Sequence, residues 1–144
     1  MTKRDESSPG EQAFIEAATN TFSFLTDLGF KLSVKTNNDG SNTYKHLEWA
    51  LWPVTVVFMR EWKGGDFYLA FEFERETFSL QEVIDLQEPS AVQQVSWSAY
   101  GPENVQEGVD LYARLLVTYG TEALVGDREF YQHLRAARRS STTR

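Results

Sequence analysis

A chain of 144 residues is about one domain's worth, and its 41% hydrophobic and 24% charged composition is that of an ordinary globular protein, not a multidomain assembly or a disordered polymer. It has no cysteine, which excludes disulfides, a thiol nucleophile and a thiolate zinc site. Fourteen basic and twenty-one acidic residues give a formal charge of −7; residues 135–144 hold four arginines and no acid, so residues 1–134 carry −11 and favour a basic partner over nucleic acid or an anionic membrane.

Residues 1–8 are polar and are expected to be flexible, with none of the apolar run a signal peptide needs. From Pro9, the apolar residues Phe14, Ile15, Ala18, Phe22 and Leu25 recur at spacings of three and four. They predict one amphipathic helix, stopped by Gly29, with Glu11 complementing the dipole of its first turn.

At Phe30 the period changes to two. Phe30, Leu32 and Val34 alternate with Lys31, Ser33 and Lys35, the pattern of a strand with one buried face. A polar turn over residues 37–42 leads to a second strand, Tyr44 to Leu51. Pro53 separates this from a third strand, Val54 to Lys63, and Gly64-Gly65 leads to a fourth, Asp66 to Glu74. Closing the turns pairs Leu32 with Leu47, Phe30 with Trp49, Trp49 with Val56, Leu47 with Phe58, Phe58 with Phe71, Val56 with Phe73 and Trp62 with Phe67. All these pairs lie on one face, so the turns agree on a four-stranded antiparallel meander.

Beyond Arg75 the pattern is helical again. Thr77 or Ser79 caps a short helix through Leu86, with Glu82 placed to complete a capping box from Ser79. A long connection, residues 87–101, carries Val92, Val95, Trp97 and Tyr100 as anchors to the body. Pro102 opens a helix with a stripe of Val105, Val109, Tyr112, Leu115, Leu116 and Tyr119, ended by Gly120. A turn closed by Gly126 follows, and Asp127 caps a last helix bearing Phe130, Tyr131 and Leu134, with residues 140–144 expected to be a flexible tail. The fold class is α+β: an N-terminal helix, the meander, and C-terminal helices mainly on one sheet face, in a single domain of residues 1–144.

No catalytic or cofactor motif stands out. His46 falls on the outward face of the second strand and His133 in the last helix, neither within a nucleophile or zinc motif, and the glycines form no phosphate-binding loop. Non-enzymatic function is therefore expected, with no metal or cofactor. The outward sheet face is the most informative surface. It mixes Tyr44, Met59 and Tyr68 with Glu48, Glu61, Glu72 and Glu74; Glu48, Val57 and Glu72 share one row, Tyr44, Glu61 and Tyr68 another, and Glu72 and Glu74 have no basic neighbour. An ordinary solvated face explains the alternating carboxylates, whereas a docking surface also explains the aromatic groups among them. Aromatic cages hold cations, but Trp49 and Trp62 belong to the core face, while Trp52 and Trp97 sit in loops and stay open to that role.

The C-terminal segment from Val109 to Arg135, with Tyr119-Gly120, Leu124, Gly126-Asp127 and Phe130, resembles the ending of a group of small uncharacterised bacterial proteins, some of them similar to immunity proteins of toxin systems. The resemblance implies a helix, a meander and helices, and supplies no catalytic residue. Together these readings predict a cytoplasmic protein-binding domain with a basic protein partner, an immunity protein neutralising a basic toxin being the most concrete version. The alternatives are a small hydrolase with an acid pair drawn from Glu48, Glu61, Glu72 and Glu74, and a structural subunit of a bacterial assembly. Oligomeric state is left open.

Overall fold

A computed structural model describes residues 9–39, 42–60, 67–88 and 105–142. The N-terminal helix is divided: α1 spans Pro9–Thr21 and α2 Ser23–Asp27, with a break at Phe22 where one continuous helix was expected. Thr19, Asn20, Thr21 and Ser23 surround the break, and such side chains compete for backbone hydrogen bonds. Gly29 ends α2 at φ +107°, a conformation that favours glycine. Glu11 does more than complement the helix dipole, because its carboxylate accepts the Lys45 backbone N–H at 2.8 Å and so fixes α1 against the second strand.

Five strands form one antiparallel sheet in chain order: β1 Lys31–Asp39, β2 Asn42–Leu51, β3 Val54–Arg60, β4 Phe67–Phe73 and β5 Glu76–Ser79. The expected meander is thus present with one strand more. Between β2 and β3 the register is as expected, Leu47 opposite Phe58 and Trp49 opposite Val56, around a cis Trp52–Pro53 peptide. The two neighbouring hairpins are shifted by two residues, so that Leu32 faces Trp49, Val56 faces Phe71 and Phe58 faces Leu69. A shift of two preserves which face each side chain occupies, so the expected core face survives a wrong register. Phe67 pairs with Arg60 instead of Trp62, which lies outside the described residues, as do Glu61 and Gly64-Gly65.

Strand β5 was not expected because its turn carries no glycine or asparagine. Glu74 and Arg75 both adopt positive φ, +51° and +70°, and turn the chain so that Phe73 faces Glu76 and Phe71 faces Phe78. Ser79 then caps α3, Leu80–Gln87, with the reciprocal Glu82 hydrogen bonds of a capping box. The remaining helices are α4 Val105–Tyr119, α5 Thr121–Leu124 and α6 Arg128–Thr142. Gly120 is required by close approach, since a Cβ there would lie 2.7 Å from the Leu116 carbonyl oxygen. Asp127 accepts the Phe130 N–H at 3.2 Å as an N-cap. Helix α6 includes residues 140–142, which were expected in the tail; residues 1–8, 143–144 and the connection bearing Val92, Val95, Trp97 and Tyr100 lie outside the described residues.

The core lies between one sheet face and the helices. Phe58 stands at its centre, with ring centroids 5.1 Å from Phe14, 4.9 Å from Phe22 and 5.5 Å from Tyr112. Tyr131 of α6 stacks on Phe73 at 4.0 Å, and its hydroxyl donates to the Ala123 carbonyl. Replacing Phe58 by Ala leaves a cavity that aromatic rings on α1 and α4 cannot collapse to fill. Phe58→Ala should lower the unfolding free energy by about 3–5 kcal/mol, measured by chemical denaturation.

Candidate functional site

The second sheet face carries Lys31, Ser33 and Lys35 of β1, Tyr44, His46, Glu48 and Ala50 of β2, Thr55, Val57 and Met59 of β3, Tyr68, Ala70 and Glu72 of β4, and Thr77 and Ser79 of β5. Its middle is closed to solvent: Val57 is 6% exposed, Ala70 0% and His46 7%. The outward face is therefore not exposed along its whole length, as an ordinary solvated face would be. His46 is a structural clamp. Its Nδ1 lies 2.6 Å from Asn37 Nδ2, which donates to it, and its Nε2 donates to Glu48 at 2.8 Å. Both ring nitrogens are engaged, so neither is left to accept a proton from a nucleophile.

The predicted site residues separate into distinct environments. Glu48 is tied to His46 and faces Ser33 and Val57. Tyr44 and Met59 are half-buried, Tyr44 opposite Asn37 and Met59 opposite Tyr68. Tyr68 is 42% exposed, and its hydroxyl pKa is raised by burial and by the nearby Glu82 carboxylate. Glu72 is exposed between Thr55 and Thr77, two strands away from Glu48 and not beside Val57.

Glu74 was expected to lack a basic neighbour, and the structure overturns this. It leaves the strand at the β4–β5 turn and pairs with Arg128 and with Arg135, the latter at 2.9 Å. Hydrogen bonds from Arg135 and then Arg128 hold its carboxyl below the usual range. The same helix continues the network: Arg135 pairs with Glu76, and Arg138 binds Glu82 through two hydrogen bonds, 2.7 and 3.0 Å, and the Thr77 carbonyl at 2.7 Å. Burial works to raise the Glu82 pKa, but Arg138 and the Ser79 N–H outweigh it and the net shift is downward. Arg135 and Arg138, two of the four arginines of residues 135–144, are therefore engaged by carboxylates of the β4–β5 turn, β5 and α3, and Arg138 also lies 4.5 Å over the Phe78 ring.

At the end of the sheet where Val54 faces Phe73, the two tight turns enclose an open groove of about 900 Å³. Its floor is the last cross-strand row, Ala50, Thr55, Glu72 and Thr77; Trp52 and Pro53 form one lip, Glu74 and Arg75 the other. Trp52 is 91% exposed. Of the predicted site, only Glu72 and Glu74 line this groove, and Glu74 is already paired. Thr55, Arg75 and Thr77 were missed as site residues, and Trp52, open to an aromatic-cage role, was assigned to no site. Their convergence depends on β5, which puts the second turn beside the Trp52-Pro53 turn.

Among the described residues no group of three or more His, Cys, Asp or Glu is placed to hold a metal, and no helix is long and apolar enough to cross a membrane. No protein-family model, curated protein or solved structure matches the chain.

The ion pairs make an acid-sensitive joint. Glu74 and Glu82 have depressed folded pKa values, so their contribution is complete above the ordinary Glu pKa of about 4.3 and is lost as pH falls through the folded values. A Glu74→Gln, Glu82→Gln double variant retains capping-box geometry but not the charges. It should melt at a lower temperature than the parent at pH 7, and the gap should close as pH drops below about 4. Thermal denaturation followed by circular dichroism across pH 3–7 measures both.

Proposed function

We propose that this protein is a non-catalytic binding domain that engages a basic protein partner through the open end of its second sheet face. An immunity-type role against a basic toxin is its most concrete version. The observation that carries the reading is the groove itself, which is lined by both a 91% exposed Trp52 and Glu72, a carboxylate with no ion pair among the described residues. Exposed tryptophan is costly in water, and tryptophan and arginine are the residue types that most often dominate protein interfaces. Tyr68, on the same strand face beyond the buried Ala70, adds a second exposed aromatic group. The net charge of −7 adds long-range steering toward a cationic partner.

The resemblance of Tyr119-Gly120, Leu124, Gly126-Asp127 and Phe130 to the ending of some immunity-like proteins is consistent with this reading. In the fold those residues stop α4, form the α5 turn and cap α6, so they build the scaffold and do not line the groove. Of the four carboxylates that a hydrolase would draw on, two are engaged: Glu48 holds His46, and Arg135 and Arg128 keep the Glu74 carboxyl below the usual range, a poor state for a general acid.

Affinity capture from the source cell, followed by binding kinetics with the captured protein, tests the reading. Glu72→Lys should weaken binding about tenfold, mainly through slower association at low salt, and Trp52→Ala should weaken it by about thirtyfold or more through faster dissociation. Both variants should melt like the parent. Unchanged affinity for both would place the binding surface elsewhere.

A further inference from the structure

The groove is built for a particular kind of side chain. Trp52 offers the aromatic face that attracts cations most strongly, and it stands at the tip of the β2–β3 turn without a ring contact among the described residues. Glu72 lines the same groove from β4, between Thr55 and Thr77. Two residues along the chain, Glu74 is satisfied by Arg128 and Arg135, whereas Glu72 has no cation bound to it among the described residues. An aromatic face and a free carboxylate in one concave site are complementary to a guanidinium or ammonium group, which can lie on the ring and donate hydrogen bonds to the carboxylate.

The opposite lip is arranged with equal specificity. Glu74 and Arg75 hold positive φ, a backbone state that costs energy for residues other than glycine, asparagine or aspartate. The Glu74 ion pairs anchor the turn from the α6 side and leave Arg75 exposed on the groove side. The turn therefore keeps a side chain that a glycine would not supply. The two turns belong to adjacent hairpins, whose midlines are separated by two interstrand spacings, roughly 10 Å. Arg75 follows Glu72 by three residues in the second hairpin, is exposed and has no ion pair with any described residue, so it can take an anion of its own.

We propose that the groove binds an arginine or lysine side chain of the protein partner between Trp52 and Glu72, while Arg75 takes a carboxylate of the same partner. The site rests on the binding role given above and names the chemistry that the partner must present: a cation and an anion on one surface. Each contact is weak in isolation because it is solvent-exposed; the groove supplies affinity by engaging them together.

The test uses the full chain, labelled with ¹⁵N, and three probes: N-acetyl-arginine-methylamide, its uncharged isostere N-acetyl-citrulline-methylamide, and methyl β-glucoside as a neutral ring-stacking ligand. The Trp52 indole signal is identified by its loss in Trp52→Phe. The arginine probe should shift that signal and the Thr55 and Thr77 amides saturably, with a dissociation constant on the order of millimolar. Citrulline should bind at least about tenfold more weakly, and Glu72→Gln should weaken the arginine probe by a similar factor. A peptide carrying Arg and Asp four residues apart on a helix should bind more tightly than the same peptide with Asn for Asp, and Arg75→Ala should abolish that difference. Equal binding of citrulline, indifference to Glu72→Gln, or a glucoside that binds as well as arginine would overturn the proposal, as would the absence of saturable shifts. If the probes fail while Glu72→Lys still releases a captured partner, the groove is a binding surface and its cation preference is wrong. If the probes behave as expected and no captured protein responds to the variants, the cation site stands and the protein-partner role falls.

Discussion

The architecture depends on the aromatic contact centred on Phe58. Its ring is the point where α1, carrying Phe14, α4, carrying Tyr112, and the middle strand of the sheet meet. Phe22, at the break between α1 and α2, closes the same cluster and stacks on Trp49 at 5.2 Å. Elements separated by most of the chain thus share one buried set of rings, and each helix is held mainly by the apolar face it presents to the sheet.

A second set of contacts ties the C-terminal helix to the other end of that sheet. Tyr131 stacks on Phe73 while Arg128, Arg135 and Arg138 reach the carboxylates of Glu74, Glu76 and Glu82. Surface ion pairs contribute little one at a time, but these converge on a turn of two positive-φ residues and on the edge strand that follows it. Helix α6 therefore holds β5 in place. In doing so it completes the groove, since Thr77 and Arg75 belong to β5 and its turn.

The two faces of the sheet divide the work. One face packs against helices except toward β1 and the end of β2, where Val34 and Leu51 are exposed. The other is closed at Val57, Ala70 and His46 and open toward Trp52, Glu72 and Tyr68. Rigid strands carry the exposed groups on a backbone fixed from the opposite side, so a partner would meet a surface that needs little ordering on binding. The groove's charges are likewise sorted. Acids on the α6 side are neutralised internally, and Glu72 is left for an outside cation.

The sequence by itself determined the α+β class, which residues face the core, the Ser79–Glu82 capping box and the glycine stop after the first helical segment. These are local properties: side-chain direction alternates with period two in a strand, and a cap acts within one turn of its helix. That is also why Phe58, Trp49 and Phe71 were legible as core even though two hairpins were misaligned by two residues. Tertiary structure decided what depends on distant partners: the register, the fifth strand behind a turn without glycine, the burial of His46, and the fate of Glu74. Glu74 and Arg128 are 54 positions apart, and no pattern along the chain encodes that α6 returns to the β4–β5 turn. The groove was illegible for the same reason, because it exists only where that turn comes to lie beside Trp52-Pro53 at one end of the sheet.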